Sequence, residues 1–93
     1  MEREQALDLL RSNHTFPGPF QFQVIVRPPA ATSTVTAMAA AAGDGARVLN
    51  VDERHSSKGT YVALHVNIEV AEAESVLDVY EVLGSMEQVL AKM

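Results

Sequence analysis

Between His55 and Tyr61 the chain reads HSSKGTY, which gathers the most reactive-looking side chains of its 93 residues. An imidazole, two serine hydroxyls, an amine and a glycine lie side by side, and three kinds of chemistry need testing. A Ser-Lys dyad requires a desolvated amine beside the hydroxyl, so that the lysine loses its proton near neutral pH. Ser57 and Lys58 are chain neighbours between two extended segments, where solvent keeps the amine charged. A phosphate loop requires glycine before lysine and a helix after it; here Lys58 precedes Gly59 and a strand follows. The third reading is milder. Gly59 permits a positive φ, and successive N–H groups in such a turn, with Ser56, Ser57 and Lys58 around them, can hold a carboxylate or phosphate. Against it stands a plain hairpin turn, in which the glycine serves the backbone and the serines bond to their own loop.

Metal and catalytic sites find less support. His65 and Glu69 share one side of a strand but start about 13 Å apart, too far to bind one ion without help from another strand. His14 and His55 lie in separate segments. With no cysteine, the chain has no disulfides, thiolate nucleophiles or thiolate metal ligands. We therefore expect no metal, no cofactor and no catalytic residue.

Charge narrows the partners. Twelve acids against seven bases give a net charge of −5, so neither nucleic acid nor an anionic membrane is an expected partner. The start, MEREQALDLLRSN, carries early acids and no long apolar run, unlike a signal peptide. The longest apolar stretch, Ala37 to Ala42, is too short and too weakly hydrophobic to span a bilayer. A cytoplasmic protein is expected. Hydrophobic residues make up 47% of the chain, as in a globular domain, and the length suits a single core.

The elements that must position these groups follow from periodicity. Residues 2 to 11 suit a short helix with Ala6, Leu7 and Leu10 as its stripe, short enough to be a mobile appendage without packing. Pro17, Gly18 and Pro19 end it. From Phe20 to Arg27 the period is two: Phe20, Phe22, Val24 and Val26 face one way, and Gln21, Gln23, Ile25 and Arg27 the other. Thr32 or Ser33 is the expected N-cap of a helix carrying Val35, Met38, Ala39 and Ala42, stopped by Gly43. Strands follow over 47–55, with an untidy alternation, and over 60–70. In the second, Val62, Leu64, Val66, Ile68 and Val70 oppose Tyr61, Ala63, His65, Asn67 and Glu69. A helix over 72–83 buries Ala73, Val76, Leu77, Tyr80 and Leu83, with Gly84 expected at its C′ position. A strand over 86–92 closes the chain.

This order predicts an α+β fold, a ferredoxin-like βαββαβ two-layer sandwich with a short extra N-terminal helix. Residues 1–15 form the helix and linker, and 16–93 the sandwich. One sheet face is left uncovered, with Ile25, Tyr61 and His65 as candidate contacts. An RNA recognition motif, which shares this fold, stacks bases on aromatics of its central strands. The first strand's open side has none, and Tyr61 is the sole one on the third.

FPGPFQFQVIV from Phe16, SSKGTY from Ser56 and VYEVLGSMEQV from Val79 resemble the YbeD-like family. The resemblance implies a small bacterial protein of unknown function with an ACT-like ferredoxin fold, and no assigned catalytic residues. It favours a regulatory or ligand-sensing module that binds a small-molecule effector as a homodimer. The alternative is an adaptor that meets a protein partner through the open sheet face or an edge strand. Replacing Ser56, Ser57 and Lys58 together by alanine is expected to leave the fold nearly intact, as circular dichroism would show.

Overall fold

A computed structural model describes residues 2–92. The elements run α1 (Arg3–Asn13), β1 (Gly18–Val26), a 3₁₀ turn (Pro28–Ala30), α2 (Ala31–Ala42), β2 (Arg47–His55), β3 (Val62–Val70), α3 (Ala73–Ser85) and β4 (Val89–Lys92). The strands form one sheet in the order β2-β3-β1-β4, and every neighbouring pair is antiparallel. This is the expected ferredoxin-like two-layer sandwich with an added N-terminal helix.

The central pair sets the rest. β1 and β3 run opposite one another without a slip from Gly18↔Val70 to Val26↔Val62. Their alternation sends Phe22, Val24, Val26 and the five even-numbered residues of β3, from Val62 to Val70, to the helical side. There they meet Met38 and Ala42 of α2 and Val76, Val79 and Leu83 of α3. Each buried Val, Leu, Ile, Phe or Met side chain contributes about 1.5–3 kcal/mol. Thr34, also fully buried, donates from Oγ1 to the Ala30 carbonyl at 2.7 Å, so its polar atom stays satisfied. Phe22 continues outward through Phe20 (4.9 Å between centroids) and edge-on to Tyr80 (5.3 Å). Partial burial raises the Tyr80 phenol above its ordinary value by desolvation.

Four details depart from the sequence expectations. Helix α2 starts at Ala31 with Ala30 as its N-cap, because Pro28 and Pro29, lacking N–H groups, open a 3₁₀ turn that runs into it. Neither Thr32 nor Ser33 caps it: both lie inside the helix, and Ser33, like Thr34, turns its hydroxyl back to the Ala30 carbonyl. Gly84 lies inside α3, which extends to Ser85, and the end of the Lys92 side chain lies over it. On α3, Val79 is fully buried, while Leu77 and Tyr80 flank the stripe. Finally, β4 spans four residues, since Val89 N–H bonds back to the Met86 carbonyl at 3.2 Å and makes residues 86–88 a turn.

The N-terminal helix is docked, not a loose appendage. Leu7 is 3% exposed, and Leu10 packs against the core. Arg3 pairs with Asp78 at 3.3 Å and Arg11 with Glu74 at 2.7 Å, tying α1 to α3 at both ends. These pairs are half-exposed and worth at most about 1 kcal/mol each, so Leu7 is the anchor. Among the described residues no helix is long and apolar enough to cross a membrane.

The chain between α1 and β1 turns too tightly for a side chain at Gly18, where a Cβ would fall 2.6 Å from the Thr15 carbonyl oxygen. Gly18→Ala should therefore destabilise the domain by about 1–3 kcal/mol, read as a lowered urea midpoint with an unchanged slope.

Candidate functional site

The β2–β3 hairpin closes through Ser56. Its N–H donates to the Tyr61 carbonyl at 2.9 Å, and its carbonyl accepts from Gly59 N–H at 3.0 Å. Its hydroxyl oxygen accepts from the N–H groups of Thr60 (2.9 Å) and Tyr61 (3.2 Å). These bonds hold Thr60 and Tyr61 out of the ladder, so β3 begins at Val62 instead of Thr60. Gly59 has φ +70°, the left-handed conformation that glycine adopts without strain. Of the four loop residues named from sequence, Ser56 and Gly59 thus build the turn, while Ser57 and Lys58 are exposed at its tip.

The register brings the three sheet-face residues together. Ile25 lies opposite Ala63 of β3 on one side and Ala91 of β4 on the other. Arg54 of β2 lies beyond Ala63 in the same row. One step towards the hairpin, Tyr61 precedes Val62 and is 44% exposed. One step away, His65 sits between Gln23 and Asp52. Further along, the Asn67 side-chain amide donates to Asn50 Oδ1 at 2.8 Å, and Gln21 Nε2 lies 3.4 Å from His65 Nδ1. Glu69 is taken up by Arg47 at 3.7 Å, away from His65. Among the described residues no three histidine, aspartate or glutamate side chains converge on a metal position.

Two arginines complete the surface. Arg27, at the end of β1, donates its backbone N–H to the Gln88 carbonyl and its Nη1 to the Glu87 carbonyl at 3.2 Å, which fixes it at the sheet margin. Arg54 stands across the apolar row. Sequence reasoning placed Arg27 on the open face without assigning it a role, and it missed Arg54. The face of Arg54 cannot be counted from the start of β2, because the register slips between Val48 and Asn50 and leaves Leu49 as an extra residue. With Ser56–Gly59 at the same end, loop and sheet face form one continuous surface.

The depression beside His65, of about 360 Å³, is lined by Asp52, Glu53, Arg54 and His65. A second cleft lies between the end of α1 and the start of α3, where Arg11 is already engaged by Glu74.

Fold and surface together define a ferredoxin-like two-layer domain with one uncovered sheet face. The chain belongs to the family described as "Protein of unknown function (DUF493)", whose sequence pattern matches residues 11–93. This is the YbeD-like family suggested by the FPGPFQFQVIV, SSKGTY and VYEVLGSMEQV segments, and the match starts earlier than expected, within α1. No curated protein matches the sequence.

Because Ser56 alone satisfies two backbone donors, the three loop residues are not equivalent. Ser56→Ala should cost about 1 kcal/mol, whereas Ser57→Ala and Lys58→Ala should each stay within about 0.5 kcal/mol of the parent in urea unfolding.

Proposed function

We propose that this domain is a non-catalytic regulatory module that acts by binding, with a partner protein docking on the open sheet face. The observation that carries this reading is the uncovered row Arg54–Ala63–Ile25–Ala91, with Tyr61 exposed beside it. An apolar centre with charged margins is how protein-contact surfaces are composed. Most of the face is open sheet surface, which suits a macromolecule better than a small ligand, since small ligands need concave sites that enclose most of their area.

A second reading, a ligand-sensing module of ACT-like type, draws on the hairpin end. There Ser57, Lys58 and the left-handed turn at Gly59 offer donors to a small anionic effector. A second copy of the chain would supply the missing wall, which makes this reading dimeric.

Thermal unfolding with a panel of amino acids, dicarboxylic acids and nucleotides separates the two. At a hundredfold excess over Kd a ligand adds about 2.7 kcal/mol, which in a domain this small raises Tm by more than about 10 °C. The docking-surface reading expects shifts below about 1 °C throughout, and one specific large rise would overturn it in favour of the sensor.

A further inference from the structure

Charge is not spread evenly over this molecule. The open face carries three arginines, Arg27, Arg47 and Arg54, against two carboxylates, Asp52 and Glu69. The rest of the chain holds the other four bases and ten acids of the total seven and twelve. A protein of net charge −5 thus presents one slightly positive face, and the acids crowd its helical side and loops. Three ion pairs form among the described residues, Arg3–Asp78, Arg11–Glu74 and Arg47–Glu69; Arg27 and Arg54 belong to none of them.

Their placement relative to the apolar row is specific. Arg54 is two strands across from Ile25, and Arg27 is two residues beyond it along β1. Strand spacing and rise then set their Cα atoms about 12 Å apart, with Ala63 and Tyr61 between. Arg27 spends one donor on the Glu87 carbonyl and keeps the others. An apolar side chain on Ile25, Ala63 and Ala91 would have an arginine within reach on either side.

From this geometry we infer that the hairpin end of the open face docks an acidic segment of a partner protein. An apolar side chain seats on Ile25, Ala63 and Ala91, and flanking carboxylates pair with Arg27 and Arg54. The inference rests on the docking-surface reading above and names its partner. Size agrees with a segment. Four strands of up to nine residues span about 19 by 30 Å, so covering the whole face buries about 1,100 Å² in total, at the floor for a specific interface. The partner lies over the sheet and does not extend it. The outer strand β2 slips its register at Leu49 and carries Asp52, Glu53 and Arg54, while β4 has four residues and a slip of its own. Bulges, charges and short length are what blunt an edge against strand addition. Nucleic acid fits poorly, because Asp52 and Glu69 share the face with the Tyr61 and His65 rings, in a chain of net charge −5.

The test is an NMR titration of the full ¹⁵N-labelled chain with four probes: acetyl-Glu-Glu-Phe-Glu-Glu-amide, its Gln and Lys counterparts, and hexauridylate. The acidic peptide should shift the amides of Ile25, Arg54, Tyr61 and Ala63 saturably, and less so as salt rises. The Gln peptide should bind about tenfold more weakly, two charge pairs being lost. Arg54→Glu should weaken the acidic peptide about fivefold or more, with an otherwise unchanged spectrum; Arg27→Gln gives an independent variant. If the Gln or Lys peptide or the RNA saturates the same amides as tightly, the acidic identity is overturned while the docking face stands. Silence of these amides towards every probe overturns both.

Discussion

The unbroken register of β1 against β3 is the constraint on which the rest of the structure depends. Nine consecutive residue pairs, from Gly18↔Val70 to Val26↔Val62, fix which side chains go inward and which stay outside. A slip of one residue would turn Phe22, Leu64 and Val66 to solvent and bring Gln21, His65 and Asn67 into the core. Burying those polar groups unpaired would cost several kcal/mol each, so the alternation tolerates one register only. The helices follow from that choice. Met38 of α2 and Val76, Val79 and Leu83 of α3 have one apolar surface to cover, and both helices lie on it.

The same register composes the open face. Ile25, Ala63 and His65 lie half-buried on the open side because their neighbours Val24, Val26, Val62 and Leu64 point into the core. The outer strands behave differently. Each carries a register slip, and β2 is exposed along almost its whole length. In a domain of this size, the helical layer is too narrow to cover four strands. The edge is therefore held by its ladder to β3 and protected by charge instead of burial. These features meet at the hairpin end, where the Ser56 turn, Tyr61, Arg27 and Arg54 come together.

The central strands, α3 and the overall order were readable because their periodicities are clean. In β3 every second residue is apolar over nine positions and in β1 over seven, from Phe20 to Val26, and no helix could present that pattern to one side. Element ends were harder, since they hang on contacts distant in sequence. Gly84 reads as a helix stop, yet α3 runs on to Ser85. Thr32 and Ser33 read as caps until Pro28 and Pro29 start the turn earlier. The docking of α1 was hidden because one leucine, Leu7, does most of the work, and its partner helix lies some seventy residues away. At the candidate surface, Ile25, Tyr61 and His65 could be placed by parity alone. Arg54 could not, because the slip at Leu49 erases parity along β2.

Hydrogen exchange of the native chain, followed residue by residue by NMR, tests the account of the sheet most directly. Amides of β1 and β3 should exchange slowest, through global unfolding. Those N–H groups of β2 that point away from β3 should exchange orders of magnitude faster, as expected for a free edge. Equal protection along both edges of β2 would contradict the account, because it would mean that another strand completes the sheet there and that the open face is not the principal surface left for a partner.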